Sequence, residues 1–128
     1  MVPILSEADI VVARQSGRTL AAEAGFAGSE LTVIATAISE VARNILAYAR
    51  TGEILLQQIK RDKQIGLLIV ARDKGPGIPD VALALQDGYS TGNGLGLGLP
   101  GARRLMDEFE IASEVGRGTT VTMRKWKR

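Results

Sequence analysis

Residues 67–100 read LLIVARDKGPGIPDVALALQDGYSTGNGLGLGLP. An apolar run ends in Asp73, a DKGPGI turn follows, and glycines then recur at alternate positions from Gly92 to Gly98. A carboxylate carried by a strand into one glycine turn, followed by a second glycine-rich loop that opens a helix, describes a nucleotide pocket. The Walker pattern G-x-x-x-x-G-K-[ST] is absent, because no glycine in the chain is followed by lysine, so the phosphates must be held in another way.

Working outward, Glu53 to Lys60 and Ile65 to Arg72 alternate as strands and are joined by the polar turn Arg61 to Gln64, which predicts an antiparallel hairpin delivering Asp73. Upstream, Ile34, Ala35, Ile38, Val41, Ala42, Ile45, Leu46 and Ala49 fall 3, 4, 7, 10, 11, 14, 15 and 18 positions after Leu31. That is the helical period, and it predicts a long helix capped by Ser29 and ended by Thr51-Gly52. Before it, Met1 to Ile10 reads as an edge strand and Val11 to Ala24 as a helix stopped by Gly25. Downstream, Asp80 to Gln86 reads as a short helix, Pro100 opens another through Met106, and Phe109 to Glu114 with Thr119 to Trp126 form a closing hairpin across Gly116-Arg117-Gly118. Helices segregated from a mostly antiparallel sheet give an α+β fold, a two-layer sandwich with the sheet covered on one face, in a single domain over residues 1–128.

Composition narrows the chemistry. The 128 residues, 45% hydrophobic and 23% charged, suit one domain with its own core. With no cysteine and no histidine there is no disulfide framework, no ordinary zinc site, no Ser-His-Asp triad and no phosphohistidine relay within the chain. A general base must then be a carboxylate or a lysine. The N-terminus shows neither a secretion signal nor a membrane-spanning run, so a soluble, cytoplasmic protein without membrane association is expected. The basic cluster Arg124, Lys125, Lys127 and Arg128 around Trp126 reads as a solvated tail rather than a nucleic-acid interface.

Glu40 and Asn44 lie four apart on the long helix, one turn above the other at the margin of the apolar stripe. An asparagine there can offer its carbonyl oxygen to Mg²⁺, and a glutamate one turn earlier can take a proton from a hydroxyl; solvated helix-margin residues are the alternative. Asp73 is either a turn aspartate or an acceptor for the exocyclic amine of adenine, with Gly75 and Gly77 admitting the base to the backbone. Leucines interleaved with Gly94, Gly96 and Gly98 suit a lid over a ligand better than a linker, and the helix start behind Pro100 suits a triphosphate. The match of Gly96, Gly98 and Gly101 to the dinucleotide fingerprint is accidental, since no apolar strand precedes it and no acidic residue answers it in Gly116 to Thr122. Gly116 to Thr120 is an ordinary hairpin turn or carries threonines to the adenine end.

In this order Glu40-x-x-x-Asn44, Asp73-x-Gly75-x-Gly77, Gly94-x-Gly96-x-Gly98 and Gly118-Thr119 resemble the N-box and glycine boxes of the GHKL ATPase superfamily. ATAISEVARNI at 35–45 and GLGLGLPGARRLMDEFEI at 94–111 are similar to the small RsbT-type serine/threonine switch kinases of bacterial stressosomes, across nearly the whole chain. The resemblance implies a Bergerat-type ATP site and Mg²⁺-dependent phosphorylation of STAS-domain scaffolds of the RsbS and RsbR type. It also implies release to activate a downstream effector enzyme. It makes Glu40 the base, Asn44 the Mg²⁺ ligand, and Asp73 the adenine acceptor with Gly75 and Gly77. Gly94, Gly96 and Gly98 become the phosphate lid and Thr119 the adenine-side wall; Arg43 is left between a partner and the phosphates. The alternative is an RsbW-like anti-sigma factor acting mainly as an ATP-gated binding module.

Overall fold

The computed structural model describes residues 1–77 and 98–127. Among these are strands β1 (Val2–Ile4), β2 (Gly52–Arg61), β3 (Gln64–Asp73), β4 (Glu108–Glu114) and β5 (Gly118–Trp126), and helices α1 (Glu7–Glu23), α2 (Ser29–Tyr48) and α3 (Gly98–Leu105). The strands form one sheet in the order β1-β2-β3-β5-β4, and every described pairing is antiparallel. The expected α+β sandwich is present, and its mostly antiparallel sheet is antiparallel throughout the described ladders.

Strand alternation explains the layering. Ile54, Leu67, Ile69, Ala71, Val121 and Met123 point to one face and are at most 3% exposed. They meet Ile34, Ile38, Val41 and Ile45 of α2 and Ile10, Ala13 and Ala21 of α1, so the helical and two-residue periods converge on one core. Each large aliphatic side chain buried there contributes roughly 1.5–3 kcal/mol. The length and mean hydropathy of α2, 1.2, would suffice to cross a bilayer, but half of that apolar window is buried inside the protein as the central core helix.

Element boundaries shift where polar side chains or glycine intervene. The first strand stops at Ile4 and α1 starts at Glu7, ahead of the expected Val11, because the Asp9 carboxylate accepts the amides of Leu5 (2.8 Å) and Ser6 (3.1 Å) and closes the first turn. Ser29 is the first residue of α2 and not its cap; Gly28 holds that place with φ 60° and ψ −131°. The helix after the glycine loop starts at Gly98, which leaves Pro100 in the first turn, where its missing N–H costs nothing. The expected helix over Asp80 to Gln86 lies outside the described residues.

Of the C-terminal basic run, Arg124 and Lys125 lie within β5, the strand expected over Thr119 to Trp126, and are held by ion pairs rather than solvated as a tail, while Lys127 follows the strand and is exposed. Arg124 pairs with Glu108 (3.5 Å) and Glu110 (3.3 Å), and Lys125 with Asp107 (3.8 Å). Trp126 is 6% exposed, donates Nε1–H to Glu108 (2.7 Å) and lies under the Arg61 guanidinium at 4.6 Å. Glu108 thus ties the tip of the β2–β3 hairpin to the end of β5, and the hydrogen bond from Arg61, then that from Trp126, holds its carboxyl below the ordinary value of 4.5.

Candidate functional site

Asp73 ends β3 opposite Gly52 on one side and Thr119 on the other. Its Oδ1 accepts two backbone amides, from Gly75 (2.9 Å) and from Thr119 (3.2 Å), while Oδ2 has no partner among the described residues. One oxygen is therefore spent on fixing the side chain, and the other is left for an outside donor.

Close backbone approach builds the wall around that carboxylate. Gly118 has φ +103°, and a Cβ there would run into the carbonyl of Asp73. Gly77, with φ +80°, lies as tightly against the carbonyl of Glu114, and the Gly116 amide donates to the Pro76 carbonyl at 2.8 Å. The DKGPG turn is thereby fastened to the turn of the β4–β5 hairpin. A Cβ on Gly75 would come within 2.6 Å of Cβ of Ala49, at the end of α2, so the same turn rests on the helix carrying Glu40 and Asn44.

Thr119 is buried, and its hydroxyl shares a 2.8 Å hydrogen bond with Ser113, which also donates to the Gly118 carbonyl at 3.3 Å. Sequence reasoning missed Ser113. The signal was there: once the hairpin across residues 116–118 is drawn, Ser113 faces Thr119 in register.

On α2 the two polar residues part company. Asn44 is 6% exposed, and its Oδ1 has no hydrogen-bond partner among the described residues. A buried carbonyl left unpaired is costly, and such an orphan oxygen donor suits a hard cation; the residues present therefore fit Mg²⁺. No group of three or more acidic side chains that could hold a metal occurs among the described residues, so the rest of the shell would fall to phosphate oxygens and water. Glu40 is half-buried, and its Oε1 accepts Nη1–H of Arg43 at 2.7 Å.

The structure therefore gathers Asp73, Gly75, Gly77 and Thr119 into one cluster and seats it on the C-terminal end of the helix bearing Glu40 and Asn44. Gly94 and Gly96 lie outside the described residues, and Gly98 is the first residue of α3, which packs along α2. A cavity of about 530 Å³ bordered by Asp73, Glu53, Arg72, Lys74 and Thr120 opens on the other side of the sheet, because Glu53, Arg72 and Thr120 alternate away from the helices.

Comparison with known proteins agrees with this fold. Residues 5–125 match the model of the histidine kinase-like ATPase domain. The chain is 51% identical over 127 residues, 99% of its length and 96% of the relative's, to the serine/threonine-protein kinase RsbT of Bacillus subtilis (strain 168). It is 35% identical over 103 residues, 75% of its length and 69% of the relative's, to the anti-sigma F factor of Geobacillus stearothermophilus. Among solved structures, the mycobacterial sensor histidine kinase MprB superposes with a TM-score of 0.59 at 19% identity, over 77% of this chain and 72% of that one, which is a likeness of fold.

Proposed function

We propose, from the premise that the chain belongs to the histidine kinase-like ATPase domain family, that it is an ATP-dependent serine/threonine protein kinase. The observation that carries this reading is 51% identity to a serine/threonine-protein kinase over nearly the full length of both chains. The anti-sigma F factors are more distant, and an output of sequestration alone has correspondingly less support.

In this reading the free Oδ2 of Asp73 accepts the exocyclic amine of adenine, while Gly75 and Gly77 admit the base to the backbone and Thr119, oriented by Ser113, walls the adenine side. Asn44 Oδ1 is the protein ligand for Mg²⁺, which when bound neutralises charge on the phosphate oxygens. Gly94, Gly96 and Gly98 carry the phosphate lid. A serine or threonine hydroxyl oxygen of the partner attacks the γ-phosphorus and the bond from that phosphorus to the bridging oxygen breaks. ADP departs, and the hydroxyl proton passes to the Glu40 carboxylate. The partner is a STAS-domain scaffold of the RsbS and RsbR type, phosphorylation releases the kinase to a downstream effector enzyme, and the cycle runs in the cytoplasm.

The test is incubation with γ-labelled Mg-ATP and a STAS scaffold, followed by mass-spectrometric mapping. Label on a scaffold serine or threonine, lost with Asp73→Asn, is the expected result. Absence of label despite a demonstrated complex defeats the kinase reading.

A further inference from the structure

We propose that Arg43 is a positioning residue for phosphoryl transfer: its guanidinium holds one oxygen of Glu40 and leaves the other to receive the proton of the attacking hydroxyl. This rests on the reading of Glu40 as the base. The contact is monodentate, Nη1 to Oε1 at 2.7 Å, and Oε2 has no hydrogen-bond partner among the described residues.

Arg43 and Glu40 are three residues apart, with side chains 53% and 30% exposed, and an exposed pair at that spacing adds little to helix stability. Its effect is on geometry. A glutamate side chain samples many rotamers, and a base must lie within hydrogen-bond reach of the proton it removes. Pinning Oε1 restricts that sampling while Oε2 keeps its lone pairs, the same division of labour as a base oriented by a third group. Asn44, the next residue, is buried, whereas Arg43 is exposed and Glu40 half-buried at the helix surface. The neighbours divide the helix surface, Asn44 inward and the Glu40–Arg43 pair toward the incoming hydroxyl.

The experiment compares wild type with Arg43→Ala, Glu40→Gln and the double variant, measuring thermal midpoint, transfer rate at saturating ATP and scaffold, and KM for each. Arg43→Ala is expected to keep its midpoint and both KM values and to lose roughly 10- to 100-fold in rate, the scale of a misplaced catalytic group. In the double variant the rate equals that of Glu40→Gln alone, because Arg43 acts only through Glu40. A wild-type rate in Arg43→Ala, a rise in either KM in place of the rate loss, or a further loss on top of Glu40→Gln overturns the inference while leaving the base reading intact. A wild-type rate in Glu40→Gln removes the base reading itself and this inference with it.

Discussion

Replacing Asn44 by leucine should stabilise the ligand-free protein and abolish its response to Mg-ATP. Asn44 is 6% exposed and its Oδ1 is unpaired among the described residues, a state that costs roughly 1–3 kcal/mol for a neutral polar group. Leucine branches at the same carbon and sets methyl groups where asparagine has its oxygen and nitrogen, so the penalty goes without a cavity being opened. It also replaces a weak helix former with a strong one inside α2, which adds about 0.3 kcal/mol. The net gain is at least about 1 kcal/mol, or roughly 4 °C in thermal midpoint for a chain of this size. Calorimetry of both proteins without nucleotide measures it. The scans are then repeated with Mg-ATP at about 100 times its dissociation constant, where wild type gains about 2.7 kcal/mol by mass action and the variant gains nothing, so the variant's advantage falls by that amount. A ligand-free variant less stable than wild type would refute the claim that the buried oxygen is an uncompensated cost. A variant that keeps the wild-type Mg-ATP shift would refute its role as the metal ligand.

Three further outcomes follow from the geometry. Gly118→Ala places a Cβ against the Asp73 carbonyl at φ +103°, and urea unfolding should show a loss of roughly 2 kcal/mol or more; a loss below about 0.5 kcal/mol would mean the approach is not tight. Arg50 follows α2 in the left-handed region with φ 70°, a conformation costing a non-glycine residue about 1–2 kcal/mol, so Arg50→Gly should raise the thermal midpoint slightly even after the entropy glycine loses on folding, and a fall would contradict this. Glu108 has its carboxyl held low by Arg61 and Trp126, so it contributes stability that is complete above its ordinary value of 4.5 and is lost as pH falls through the lowered value. Denaturation followed from neutral pH into that acid range should therefore give a shallower decline for Glu108→Gln than for wild type, and parallel curves would remove Glu108 from the acid response.

Local pattern carried most of the fold. The apolar period from Leu31 to Ala49 placed α2, and the alternation on either side of Asp62-Lys63 placed the β2–β3 hairpin, whose ladder extends one residue beyond expectation at each end. The patterns failed where the deciding contact was made by a side chain. Asp9 reaching back to Leu5 and Ser6 moved the start of α1, and Glu108 gathering Arg61, Arg124 and Trp126 tied down side chains that composition alone read as solvated.

By itself the sequence determined the types of the described elements and the family, and it singled out Glu40, Asn44, Asp73 and the glycines as candidate site residues, because helical and strand periods and glycine spacing are written in neighbouring residues. Only the tertiary structure decided that β5 lies between β3 and β4, that the Thr119 amide and the Gly75 amide share one oxygen of Asp73, that Ser113 orients Thr119, and that Asn44 is buried with its carbonyl unpaired while Glu40 lies against Arg43. The physical reason is distance along the chain. Asp73 and Thr119 are 46 residues apart, and no local period records a hydrogen bond that forms only when the sheet closes.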